Sequence, residues 1–303
     1  MRKPKGKRSI WRGIYNPDKN YILGRTPRNW GSLLIFYTIF YTILAALFAI
    51  CMQGLLASLS DEEPRWQLDK SLIGNNPGVG LRPIPDNLDR GSLIWYDAKD
   101  KKQVDYWTGL LSQFLQPYTN RTLMVGAGKN QVQCDFDKGP GYGQVCAVNV
   151  DKLGPCSESN GFNYNKSAPC IFLKLNKIYN WEPEYYDDIN NLPNEMPQDL
   201  KDEIKSLPVN QRKQVWVSCN GERSSDEESL RGMKYFPSRG FPGYYYPFKN
   251  APGYLSPLIA VKIERPTLNR IINIECRAWA KNILYNGSLR DRQGSIHFEL
   301  MVH

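Results

Sequence analysis

The sequence predicts a single transmembrane α-helix plus a mainly-β ectodomain, an antiparallel β-sandwich held by disulfides. Three observations lead there. Residues 33 to 57, LLIFYTIFYTILAALFAICMQGLLA, contain no charged residue. Six of the seven cysteines follow that run. The rest of the chain breaks into short apolar segments separated by Gly, Pro and Asn, the pattern of packed antiparallel sheets.

The apolar run is 25 residues long. As a helix it spans about 37 Å, more than a hydrocarbon core of ~30 Å. A cleavable signal has a shorter apolar stretch and a small-residue cleavage site, whereas this run leads into SLSDEEPRW. An uncleaved signal-anchor is expected. Residues 1 to 32 hold nine Lys or Arg against the single acid Asp18, which is +8 of the chain's net +9. Asp61, Glu62 and Glu63 lie on the other flank. The positive flank stays in the cytoplasm, so a type II topology at the plasma membrane is expected. The basic balance is thereby a topology signal that also places the tail near anionic lipid headgroups. The large domain is nearly neutral, which argues against nucleic acid as a partner.

The division expected is a basic cytoplasmic tail at 1–32, the membrane helix at 33–57, an extended Pro/Gly-rich stalk at 58–90 and the ectodomain at 91–303. The stalk contains NNPGVGLRPIPDN, which cannot hold a regular helix. In DKKQVDYWTGLLSQFLQPY, Val104, Trp107, Leu110, Leu111, Phe114 and Leu115 recur at helical spacing, and Pro117 is expected to stop that helix. A second short helix is expected over 197–207. Strands are expected where side chains alternate: Val215, Val217 and Cys219; Ile272, Ile274, Cys276 and Ala278; and, inward on the last strand, Ile296, Phe298, Leu300 and Val302. The runs APCIFLKLNKIY and YLSPLIAVKIE are more continuously apolar and suggest inner strands.

An even number of cysteines outside the cell reads as a disulfide framework, with 15 possible connectivities. Cys134 and Cys146 flank a Gly-Pro-Gly-Tyr-Gly turn that reads as a hairpin. Cys156 and Cys170 then close a polar loop around Asn165. Cys219 and Cys276 share the buried phase of two strands, which suits a bridge between sheets or between neighbouring strands. The sequential order is expected. Asn120-Arg-Thr, Asn165-Lys-Ser and Asn286-Gly-Ser are glycosylation sequons on the outer side. Cys51, inside the span, reads as a packing residue.

Catalytic chemistry is not indicated. His297 and His303 are the two histidines, and both read as surface residues. VGAGKNQ (125 to 131) lacks the spacing of a phosphate loop. Asp135-Phe-Asp137 matches a pattern that holds Mn²⁺ and a nucleotide-sugar in Golgi glycosyltransferases. The alternating βα units of a nucleotide-binding fold are missing beside it. No catalytic residue, no metal site and no cofactor are expected, only N-linked glycans.

The combination of Trp11, Asn16-Pro17, Gly24-Arg-Thr26 and Trp30, the FYTIFY opening of the apolar run, six later cysteines and YYYPFKNAPGYLSPLIAV resembles the beta subunit family of the sodium/potassium-ATPase and its proton/potassium relative. The resemblance covers nearly the whole chain. It implies an immunoglobulin-like sandwich with an inserted helix and three sequential disulfides. It implies a non-catalytic subunit that binds a P-type ATPase alpha subunit one to one, supports its folding and delivery, and influences potassium affinity. A small single-span regulatory subunit is a further partner of such complexes, and some members mediate cell adhesion. The chain departs from the family in TILAALFA, where Ala45, Ala46 and Ala49 replace a glycine motif, in Pro247-Phe248-Lys249, and in Cys51, with Ile43 where a membrane cysteine is expected.

Tyr41 lies about 6 Å from the midpoint of the span, inside hydrocarbon where a phenol needs a partner. With Tyr37, Phe40, Leu44 and Phe48 it forms a stripe that reads as a docking face for another membrane helix. By the resemblance, that helix belongs to the alpha subunit, and Tyr246 and Phe248 contribute contacts outside the membrane. The alternative class is a type II adhesion glycoprotein acting without a pump.

Overall fold

A computed structural model describes residues 15–16, 21–23, 25–61, 63–87, 91–123, 125–288 and 290–303. Trp11 and the basic residues up to Lys19 lie outside the described residues. The chain divides into two compact units, one through Arg65 and one from Trp66.

In the first unit, Tyr15–Asn16 pairs antiparallel with Tyr21–Ile22. Helix α1 covers Pro27–Ala57, 31 residues. It starts six residues before the apolar run because Thr26 caps it: the Thr26 hydroxyl accepts from the Asn29 amide at 3.3 Å, and proline stands at the first position, where its missing N–H costs nothing. Thr38 and Thr42 satisfy their hydroxyls on the backbone one turn back, at 2.8 and 2.7 Å. The helix is long and apolar enough to cross a membrane, and it buries no residue in its own unit.

The second unit is a two-sheet sandwich. Its strands are β1 (Val79–Arg82), β2 (Leu93–Tyr96), β3 (Gln131–Val132), β4 (Val145–Cys146), β5 (Cys170–Leu175), β6 (Gln214–Gly221), β7 (Met233–Phe236), β8 (Gly240–Pro242), β9 (Ile259–Ile263), β10 (Ile272–Trp279) and β11 (Ser295–Val302). Five strands form one sheet in the order β8-β6-β10-β11-β2, and four form the other in the order β1-β5-β9-β7. Val217, Ile272, Ile274, Phe298 and Leu300 from the first join Phe172, Ile259 and Val261 from the second in one core. The apolar runs around β5 and β9 are inner strands, as their composition requires. Pro257 delays β9 until Ile259, since proline cannot donate to a ladder.

Helix α2 (Lys101–Thr119) is capped by Asp100 and buries Val104, Trp107, Leu111 and Leu115. It bridges the sheets: the Trp107 indole donates to the Trp95 carbonyl of β2 at 3.1 Å, and Phe114 packs 6.4 Å from Phe172 of β5. Helix α3 (Gln198–Ser206) covers the outer face of the five-stranded sheet, where Met196, Leu200 and Ile204 enclose Trp216 and Trp279. That second small core explains why β6 is buried on both faces although alternation predicts one. Arg239 fastens α3 down, with its guanidinium 2.7 Å from Asp199 and its Nε donating to the Val217 carbonyl.

Several sequence expectations are corrected. Pro117 does not stop α2, which runs on to Thr119. Tyr118 holds the last turn by packing 5.7 Å from Phe114 and donating to the Ser256 carbonyl. The Cys134–Cys146 loop is not an antiparallel hairpin, because β3 and β4 pair in parallel. The loop turns twice, first where the Asp135 carboxylate accepts from the amides of Asp137 and Lys138 and again at Gly141–Gln144. The sandwich is antiparallel except where β11 runs parallel to β2. On β11 Phe298, Leu300 and Val302 are buried but Ile296 only partly. The second unit takes in the C-terminal part of the region expected as stalk: Val79 and Leu81 are buried in β1, an edge strand paired with β5.

Candidate docking faces

The aromatic stripe on α1 is built from one-turn spacings. Tyr37 stacks on Tyr41 with ring centroids 6.0 Å apart, and Phe36 on Phe40 at 6.2 Å. Phe40 meets Tyr41 edge-on at 5.4 Å. Tyr37 and Tyr41, with Trp30, Leu33 and Ala45, line an open groove along the helix. Phe40 flanks that groove, and Phe48 lies two turns further on, outside it. All four predicted residues are exposed, Tyr41 by 59%. Unlike Thr38 and Thr42, neither phenol has a hydrogen-bond partner among the described residues. A hydroxyl held in hydrocarbon without one is costly, so this face is incomplete as it stands.

Tyr246 and Phe248 belong to the second unit and sit differently. Tyr246 packs edge-on to Trp181 at 5.7 Å. Its hydroxyl is buried without a partner among the described residues, and burial pushes the phenol well above its usual pKa. Its polar end is thus turned into its own domain, leaving only part of the ring at the surface. Phe248 is half-buried and packs 4.9 Å from Tyr254 and 6.4 Å from Tyr179. The Asn180 amide donates to the Phe248 carbonyl at 2.8 Å, which straps this segment onto residues 179–181. Sequence reasoning missed the work of the preceding tyrosines. Tyr245 donates to the Ala147 carbonyl at 3.0 Å, and Tyr244 packs 5.4 Å from Phe136; together they anchor the first disulfide loop.

Three disulfides join Cys134 to Cys146, Cys156 to Cys170 and Cys219 to Cys276. Of the two placements open for the last, the structure shows neighbouring strands: Cys219 of β6 faces Cys276 of β10 directly across the ladder, Cα atoms 4.0 Å apart. Asn120, Asn165 and Asn286 are all exposed. The Asn120 side-chain carbonyl accepts from the Thr122 amide at 3.0 Å and from its hydroxyl at 2.6 Å. Asn286 accepts from the Ser288 amide at 3.0 Å.

The Asp135 carboxylate is occupied with its own turn, and Asp137 accepts from the Asn210 side chain at 3.0 Å. Among the described residues no three His, Cys, Asp or Glu side chains gather as a metal site. His297 is bonded to Glu222 at 2.8 Å.

An apolar helix long enough to cross a membrane, followed by a disulfide-stapled β-sandwich, defines a class: single-span proteins that carry one folded β-domain. The family model described as "Sodium / potassium ATPase beta chain" matches residues 2–298. The chain is 48% identical over 299 residues to "Sodium/potassium-transporting ATPase subunit beta-1" of Drosophila melanogaster, covering 99% of this chain and 94% of that one. It is 46% identical to "Sodium/potassium-transporting ATPase subunit beta-2" of the same fly, with 98% and 92% covered, and 30% identical to the human protein named beta-2, with 96% and 92% covered. The chain belongs to the sodium/potassium ATPase beta chain family.

Proposed function

We propose that this beta subunit pairs one to one with the alpha subunit of a plasma-membrane sodium/potassium-transporting P-type ATPase. It has no catalytic role of its own and supports the folding, delivery and stability of the alpha subunit. The N-terminus is cytoplasmic, and the sandwich lies outside, glycosylated at Asn120, Asn165 and Asn286. Tyr37, Phe40, Tyr41 and Phe48 dock on transmembrane helices of the partner, and Phe248 with the exposed part of Tyr246 adds contacts outside. The observation that carries this reading is the pair of phenols on α1 that lack a hydrogen-bond partner in their own helix.

Replacing both (Tyr37→Leu/Tyr41→Leu) keeps α1 apolar, so insertion survives. Side-chain hydrogen bonds in membranes are worth about 0.6 and at most ~2 kcal/mol, too little to dissolve a complex that the outer domain also grips. A contact that differs between pump conformations still shifts their equilibrium. The expected outcome is normal assembly with a several-fold change in apparent potassium affinity, measured by potassium-activated transport. Unchanged potassium dependence at normal assembly makes the stripe lipid-facing. Solubilisation and pull-down without a stoichiometric alpha subunit favours adhesion without a pump.

A further inference from the structure

The outer face of the four-stranded sheet carries three cations that no carboxylate among the described residues neutralises. Arg82 of β1 and Lys174 of β5 sit on the same face: Arg82 is across from Phe172 and Lys174 from Gly80 in one ladder. Lys177 follows just beyond β5. None of the three forms an ion pair with a carboxylate among the described residues, although eight other basic residues of this domain do.

Aromatic rings take the place of acids. The Arg82 guanidinium lies 5.4 Å and the Lys174 ammonium 5.8 Å from the Phe114 ring centroid. Lys177 lies 5.1 Å from both Phe248 and Tyr254. The arrangement is packed as well as charged, since a Cβ on Gly80 would stand only 3.3 Å from the Lys174 stem. The pKa of Lys174 is lowered, first by burial and then by repulsion from Arg82 and Lys177; that of Lys177 is lowered by burial. Lys174 is therefore partly buried and repelled by both neighbours, while Lys177 stays exposed at the edge of the group. Rings flank a cation only weakly. The Arg82 guanidinium also donates to the Leu81 carbonyl at 2.7 Å, which leaves its remaining N–H groups and both ammonium groups to meet a ligand.

We propose that Arg82, Lys174 and Lys177, framed by Phe114, Phe248 and Tyr254, receive a carboxylate-rich segment of the alpha subunit. This rests on the pairing proposed above and adds the chemistry of one contact. Charge complementarity specifies acids. Continuity with Phe248 places the cations beside an aromatic contact already assigned to the partner. The aromatic rings and Arg82 are side chains enriched at protein interfaces, and Lys174 and Lys177, a type depleted from interface cores, fit the polar rim. Anionic lipid is the weaker choice, because it concentrates in the cytoplasmic leaflet, away from this domain.

The test uses the full chain co-expressed with its alpha subunit and purified in detergent. The variants are Arg82→Glu/Lys174→Glu/Lys177→Glu, the neutral Arg82→Gln/Lys174→Gln/Lys177→Gln, and a control, Lys99→Glu/Lys101→Glu/Lys152→Glu, with the same charge change elsewhere. Each lost exposed pair is worth about 3-fold, and coupled neighbours do not simply multiply, so the neutral variant should associate at least about 3-fold more weakly and lose most of the salt dependence. The reversed variant should be weaker still, and the control unchanged. Non-reducing peptide mapping checks that all three disulfides form; should charge reversal block folding, the neutral variant carries the test. Wild-type affinity in both substituted patches, or an equal loss in the control, overturns the inference. So does lost binding to phosphatidylserine vesicles with pump affinity intact, which assigns the patch to lipid. A wild-type chain that holds no alpha subunit sinks the pairing itself, a result distinct from a pairing indifferent to these charges.

Discussion

Glu264 shows how a single side chain acts at the sheet edge. Lys234 of β7 lies 2.9 Å from its carboxylate and Lys262 of β9 3.6 Å. The hydrogen bond from Lys234 and the positive charges hold the Glu264 carboxyl below its usual pKa, outweighing the opposing effect of burial. A depressed carboxyl pKa contributes stability above the unfolded value, about 4.3, and that contribution is lost as pH falls through the folded value. The group faces solvent, so the effect is about 0.2–1 kcal/mol. Glu264→Gln should lower the urea midpoint slightly at pH 7 and leave it unchanged near pH 2; equal losses at both would deny the ion pair. Residue-level reading of the sequence reached some side chains and not others. Tyr41 was legible as unpartnered because helical geometry alone settles what a phenol one turn from Tyr37 meets. Tyr246 was not, because its surroundings come from Trp181, far away in the chain. The cations at Arg82 and Lys174 were equally hidden, since only the β1–β5 register puts them on one face.

Among the elements, the bridge between β6 and β10 closes a separation of 57 residues, against 12 and 14 for the other two. On the chain-entropy account it restrains the unfolded state by about 4 kcal/mol and each of the others by about 3. Cys219→Ser/Cys276→Ser should therefore destabilise most, as read by denaturant unfolding of the three double variants; the reverse ranking would show that the strand ladder alone holds these strands. Strand β11 lies between β10 and β2, and fully burying each of Phe298, Leu300 and Val302 is worth roughly 1.5–3 kcal/mol. Removing residues 295–303 should leave the protein retained in the endoplasmic reticulum, followed by surface labelling, and normal delivery of the truncation would contradict an interior strand. Alternation was enough to phase β6, β10 and most of β11, because a buried face imposes period two whatever the partner. It could not show pairing direction. The loop after Cys134 has the glycines of a hairpin, yet two-residue strands can meet in parallel once the connection turns twice. Pro117 likewise breaks one helical hydrogen bond, a local cost that Tyr118 offsets through a contact the sequence does not display.

For the molecule as a whole, the charge imbalance across α1 predicts a cytoplasmic N-terminus. Protease added to intact cells should digest the C-terminal domain and spare the first 30 or so residues; an epitope near residue 10 that stains without permeabilisation would reverse the topology. The anchor and the overall two-sheet plan were legible because both follow from composition and short-range periodicity, whereas the limits of the stalk were not, since β1 becomes a strand only by meeting β5. The parallel pairing of β2 with β11 has a consequence for the way the chain is made. Leu93 pairs with Glu299, 206 residues later. At about 5–20 residues per second, Ile94 and Tyr96 wait some 10–40 s after synthesis before their neighbours exist. During that interval the nascent chain carries an open, apolar strand edge. Ile94 and Tyr96 must therefore be shielded by something other than their final neighbours until the last strand emerges.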